Sequence, residues 1–270
     1  MNAHLTGLIS LGLAAAFVAG PAYATPPTLY QITDGVGFTN GDLIGSINYI
    51  GSPPGYPPVT FNGNVYIGPL NMQVTNESTK VAIQQTVYCT DIFDDYVSGG
   101  LYTVNPTNLT GQLTAELGSA TDAGIKIKQI NALLSHASPT NQPAGAAIQA
   151  AIWEIENEPG VTGYSLATGE FTASVDSGNQ PAFAADVAAD LANVTGTSGS
   201  NGIWQPTSGE TLEEFVVAEG QGANQSFSFL ALPSSGFDVP APEPASLSVL
   251  GLGVLGLAAI RRRRPSKHPA

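Results

Sequence analysis

Hydrophobic and polar positions change period along the chain, and each change predicts an element. Between Tyr30 and Thr90 the apolar residues come in short β-type pieces, Leu43 to Ile50, Val65 to Ile67 and Val81 to Tyr88, separated by Gly, Pro and Asn. Runs punctuated in this way predict strands joined by turns. Gly51 to Pro58 holds four prolines in eight residues, and because proline supplies no ladder donor the stretch is expected to be a loop. Beyond Cys89 come an acidic turn and Tyr102 to Val104, and then the period lengthens. Ala123 to His136 places Ile127, Ile130, Leu133 and Leu134 at helical spacing. In the next segment Asn141 can cap a helix and Pro143 suits its first turn. Ala147, Ile148, Ala151, Ile152 and Ile155 then form one apolar stripe, and Pro159-Gly160 stops it. A third, short helix is expected from Pro181 to about Asn193 on Phe183, Val187 and Leu191. Glu214 to Ala218 and Ser226 to Leu232, joined by a Gly-rich link, predict a closing hairpin. Strands, helices and strands in that order predict an α+β domain, a mainly antiparallel sheet or sandwich interrupted by an insertion of about three helices.

Both ends of the chain have a different character. Leu5 to Ala19 is an uncharged apolar run followed by Ala22-Tyr23-Ala24, the small-x-small form that a signal peptidase cleaves, so residues 1–24 are expected to be a signal peptide. At the other end Ala245 to Ile260 is a second apolar run, closed by Arg261, Arg262, Arg263 and Arg264. Its 16 residues rise roughly 24 Å as a helix, a short span against a ~30 Å hydrocarbon core. The arginines hold its C-terminal end on the cytoplasmic side and leave everything before it outside. The domain proper is thus expected over 25–235, with a tail at 236–270.

Trimming the ends sharpens the charge. From Thr25 to Pro242 there remain 3 Lys, no Arg and 20 acidic residues, a formal charge of 3 − 20 = −17. Nucleic acid is excluded as a partner, because a phosphate backbone is held by Lys and Arg that release its counterions. Acidic polysaccharide is disfavoured for the same reason. Only Cys89 and His136 remain of their types, so no multi-Cys or multi-His zinc site can be built. Asp91, Asp94 and Asp95 form the densest acidic cluster. It lacks the EF-hand spacing, and a solvated acidic loop accounts for it better than a calcium site does. No metal or cofactor is therefore expected. Asn-x-Ser/Thr sequons at Asn76, Asn108, Asn193 and Asn224 are at most surface glycosylation sites.

Upstream of the C-terminal apolar run stands Pro242-Glu243-Pro244. Pro-Glu-Pro, a short apolar helix and a terminal Arg cluster, in that order, resemble the PEP-CTERM sorting signal of Gram-negative, exopolysaccharide-making bacteria. The resemblance implies an exosortase-type processing enzyme as a partner. It also implies transient anchoring in the inner membrane through this tail alone, and delivery to the cell surface or extracellular matrix. A plain C-terminal membrane anchor is the alternative.

A lone cysteine in an oxidising compartment must be buried and inert, joined to another chain, or otherwise committed. Cys89 ends a strand-like run in Val87-Tyr88-Cys89-Thr90-Asp91, and Gln149 stands in Ala147-Ile148-Gln149-Ala150-Ala151-Ile152-Trp153. On a helical wheel Gln149 lies beside the Ile148/Ile152 stripe and one turn before Trp153, at the edge of a packed interface. An aromatic-Cys-x-Asp on a strand followed by Ala-Ile-Gln-Ala-Ala-Ile-Trp on a helix resembles the bacterial thioester domains. That resemblance implies that Cys89 supplies the thiol and Gln149 the acyl group of an internal thioester. The bond is ready for single-turnover attachment to an amine or hydroxyl on a protein or polysaccharide surface, which is adhesion and not enzymatic turnover. Such a bond needs water kept away, a role suited to Tyr88 and Trp153. Two other readings stay open. One is a non-covalent matrix or biofilm protein with a buried inert cysteine. The other is a Cys/His hydrolase built from Cys89 and His136, although His136 has the place of an exposed residue at a helix C-terminus.

Overall fold

The computed structural model describes residues 27–38, 43–51, 59–195, 202–222 and 225–231. The expected signal peptide, the Ser52 to Pro58 part of the proline loop, the sequon at Asn224 and the sorting tail lie outside the described residues. Nine strands and four helices are found among those described: β1 (Leu29–Phe38), β2 (Leu43–Gly51), β3 (Val59–Ile67), β4 (Leu70–Asn76), β5 (Ala82–Cys89), β6 (Gly100–Val104), α1 (Asn108–Leu117), α2 (Ala120–His136), α3 (Gln142–Asn157), β7 (Phe171–Val175), α4 (Gln180–Thr195), β8 (Thr211–Val217) and β9 (Phe227–Ala231).

Six strands close into an antiparallel barrel in the order β1-β4-β5-β9-β8-β6, and β6 returns to pair with β1. Closure leaves this sheet without an edge. Its interior follows from alternation: Tyr30 and Ile32 on β1, Val74 on β4, Val87 on β5, Tyr102 on β6, Phe215 on β8 and Phe227 and Phe229 on β9 are all buried. Phe215 and Phe229 stack at 4.3 Å, and Tyr30 meets Phe215 edge-on at 5.9 Å. The expected closing hairpin is β8-β9, paired from Thr211↔Ala231 to Phe215↔Phe227. A second sheet, β3-β2-β7, turns Leu43, Ile47 and Tyr49 of its central strand inward.

The architecture is the α+β arrangement expected, with the helices placed between β6 and β8. One more helix is present than the apolar spacing predicts. α1 shows only Leu109 and Leu113 to the core, and its N-cap Thr107 makes no side-chain capping bond, so its sequence carries little helical signal. Gly51, expected in a loop, is the last residue of β2 and pairs with Val59.

α3 is the centre of the molecule. Asn141 caps it through a bond from the Ala144 N–H at 3.0 Å, and Pro143 stands in its first turn, as the sequence predicts. Its burial differs from the expected single stripe, because every residue from Gly145 to Asn157 is buried. A helix covered on all sides belongs between layers, and α3 packs against α4, α2, β2, β3 and β7. Small residues permit this: Gly145, Ala146, Ala147, Ala150 and Ala151 let neighbouring elements close in, and a Cβ at Gly145 would meet the Pro69 ring at 3.0 Å.

The C-terminus of α3 is held by Lys126 of α2, which is fully buried. Its Nζ donates to the carbonyl of Glu156 at 3.2 Å and also to that of Glu158. A cation at the negative end of the helix dipole and two charge-assisted bonds to otherwise orphaned carbonyls both favour this end. Lys126→Met is therefore expected to lower the unfolding free energy by about 2–3 kcal/mol, read as a drop in urea midpoint at unchanged m-value.

Candidate functional site

β5 and α3 bring the two singular residues of the sequence together. Cys89 is the last residue of β5, paired with Phe227 of β9, and Gln149 lies in the second turn of α3. The Cys89 N–H donates to Gln149 Oε1 at 2.9 Å, and Gln149 Nε2 donates to the Cys89 carbonyl at 2.8 Å. The carboxamide thus behaves as one more strand residue at the end of β5, satisfying both backbone groups of Cys89. Gln149 is 1% exposed, at the centre of the packing where the helical wheel places it at an edge. The wheel shows angular position on one helix and not how many neighbours surround it.

The two-point contact fixes the plane of the carboxamide against the residue that carries the thiol. A backbone N–H aimed at Oε1 is the donor that negative charge on this oxygen would need if Cδ were attacked, at a distance typical of oxyanion holes. Cys89 is buried and free, and burial first, then the Glu156 and Asp91 carboxylates, push its pKa far above the ordinary thiol range.

Trp153, one turn beyond Gln149, is 2% exposed and packs edge-on against Phe171 at 6.2 Å. Tyr88 is also buried, but alternation along β5 sends it to the opposite face from Cys89, where the charge of Asp190 on α4 is felt at its hydroxyl.

Beside Cys89 the chain builds an acidic pocket that the sequence did not announce. A cavity of ≈ 40 Å³ is walled by Thr90, Asp91, Gln112, Glu156 and Glu214, with Leu109 and Leu113 below. Glu214 is tethered through both oxygens, accepting from Thr90 Oγ1 at 3.0 Å and from Asn108 Nδ2 at 3.0 Å. Burial pushes it up to about 7 despite those bonds. Asp91 accepts from the Phe93 N–H at 2.8 Å. Glu156 is 5% exposed and neither of its oxygens has a hydrogen-bond partner among the described residues. Burial, then Glu214, holds it well above the carboxylate range.

The remaining candidates resolve as follows. No group of three or more His, Cys, Asp or Glu among the described residues could hold a metal ion. His136 is exposed at the end of α2, stacked on Trp204 at 5.8 Å with its Nε2 2.7 Å from the Gln205 carbonyl. It is engaged with the segment before β8, not with the thiol. Asn108, counted among the sequons, spends its amide on buried Glu214, and Asn76 accepts from the Ser78 and Thr79 N–H groups in a turn.

Comparison with known proteins gives three results. No curated protein matches the chain. Among solved structures, the N-terminal domain of the Streptococcus pyogenes pilus tip adhesin Cpa is similar at 12% identity and a TM-score of 0.40, over 77% of this chain and 99% of that one. Residues 240–264 match the PEP-CTERM protein-sorting motif, and they contain every residue of the expected sorting signal, from Pro242, Glu243 and Pro244 to Arg261–Arg264. The chain therefore carries the address of an exported, exosortase-sorted cell-surface protein.

Proposed function

We propose that this protein is a surface-displayed covalent adhesin whose Cys89 and Gln149 form an internal thioester. The observation that carries the reading is the Gln149 carboxamide pinned between the N–H and C=O of Cys89. In ring closure the Cys89 Sγ–Gln149 Cδ bond forms, the Cδ–Nε2 bond breaks, and the thiol proton leaves with ammonia. The Cys89 N–H carries the charge that builds on Oε1. Burial around Trp153 keeps water from the product. An amine from a partner surface then attacks Cδ, giving an amide and a free Cys89 thiol, and a hydroxyl gives an ester. Each molecule reacts once, so the protein is not an enzyme. The sorting motif supplies the setting in which such a bond is useful, at the cell surface or in the extracellular matrix of a Gram-negative bacterium.

The rival is a non-covalent matrix protein in which the same contact only terminates β5. The unreactive setting of the Cys89 thiol favours it. Intact mass of the secreted protein separates the two. The thioester reading expects a native mass short by one ammonia and a methylamine adduct that frees one thiol, both missing from Cys89→Ala. A full mass with a thiol that titrates after unfolding, untouched by methylamine, would leave the matrix reading.

A further inference from the structure

We infer that Glu156 relays the proton that reaction at Cys89 and Gln149 must move, through the small polar cavity it shares with Thr90, Asp91 and Glu214. The inference rests on the thioester reading above. Glu156 follows Gln149 by seven residues on α3, two turns or about 10 Å along the axis and on the same face. This carboxyl and the carboxamide leave the same side of one rigid, buried helix, and the cavity that Glu156 lines is also lined by Thr90 and Asp91, the two residues that follow Cys89.

A side chain that is 5% exposed with both carboxyl oxygens unpartnered is a costly arrangement, and such groups are few in folded proteins. Its neighbours are engaged elsewhere. Glu214 is tied to Thr90 and Asn108, Asp91 accepts from Phe93, and Lys126 donates to backbone carbonyls. Glu156 is the wall carboxyl with a free hand, and the ≈ 40 Å³ beside it is room for about one water molecule, the least that a relay needs.

The chemistry asks for such a group. A buried thiol far above its ordinary range does not ionise unaided, and an amide nitrogen leaves only when protonated. In ring closure Glu156 gives its proton through cavity water to the departing Nε2 and recovers one from the Cys89 thiol. Ammonia leaves and Glu156 is unchanged. In opening, it gives its proton to the departing Cys89 sulfur and recovers one from the attacking amine, again ending unchanged. The groups that tune it come from four elements: Glu214 on β8, Lys126 on α2, Glu116 on α1 and Asp91 after β5.

The test is Glu156→Gln in the secreted protein, followed by intact mass and by the rate of methylamine opening against pH at constant free-amine concentration. The expected result is a variant that melts like wild type yet either retains its ammonia or opens about a hundredfold more slowly, with a flattened pH profile. Glu156→Asp, which keeps the proton, should recover part of the rate. A Gln variant with wild-type thioester content, rate and pH profile overturns the role of Glu156 while leaving the thioester standing. If the Gln variant does not fold, the wild-type profile decides: a rate that does not vary with pH at constant free amine also overturns it. A wild-type mass that never loses ammonia removes the thioester reading, and this inference with it.

Discussion

Gln149→Ala is expected to abolish methylamine-sensitive capture completely and to destabilise the domain by several kcal/mol. Two separate losses combine. The alanine leaves the Cys89 N–H, served by the Gln149 side-chain oxygen, buried without a partner, which costs about 1–3 kcal/mol. It also removes the proposed thioester link, which would join residues 60 apart. By analogy with a disulfide, a link closing a loop of that length restricts the unfolded chain by about 4 kcal/mol. Methylamine separates these contributions. It should lower the stability of wild type by roughly the link's share and leave Gln149→Ala unchanged. Gln149→Glu is the companion variant, since a neutral carboxyl can keep both contacts to Cys89 but has no ammonia to lose. It should retain much of the fold and none of the capture. Urea titrations of the three proteins with and without methylamine measure all of this. A wild type whose midpoint ignores methylamine would contradict the link.

How far the sequence reveals this depends on whether the signal is local. The α3 caps are legible, because Asn141 and Pro143 act within one turn of themselves. Cys89 and Gln149 are legible because each is chemically unusual where it stands. Glu156 is not: a Glu near a helix end ordinarily marks a solvated face, and only the tertiary packing of β8, α1 and the Thr90–Phe93 turn around it makes it buried. The closed barrel is hidden for the same reason. β1 pairs with β6 through Leu29↔Thr103 to Ile32↔Gly100, and no window of a few residues encodes a contact at that separation. β1 and β4 also lack clean alternation at their ends, and β7 is five residues of mixed polarity, so all three escape a reading based on period.

Stability should rise as pH falls from about 8 to about 5, the reverse of ordinary acid denaturation. Burial pushes Glu116, Glu154, Glu214 and Asp190 each up to about 7, and raises Glu156 further. A carboxyl whose folded pKa lies above its unfolded one binds its proton more tightly when folded. Below the unfolded value, near 4, both states are protonated and the contribution to stability is complete. As pH rises toward 7 the unfolded chain ionises first and the contribution is lost, and above 7 the folded protein must hold buried charge. For Glu214, 3% exposed, the shift corresponds to about 3 kcal/mol; the more exposed Glu116 and Asp190 contribute less, because solvent screens them. The acidic composition acts in the same direction, since protonation relieves repulsion within a domain of charge −17 (3 Lys against 20 acidic residues over Thr25 to Pro242). Melting temperature across this range gives the sign. Glu214→Gln should flatten part of the slope, because its amide cannot ionise in the gap between Thr90 and Asn108. A melting temperature that instead climbs with pH would mean that these carboxyls are ionised and paired in the folded protein. The Glu156 orphaned beside Cys89 would then have a partner.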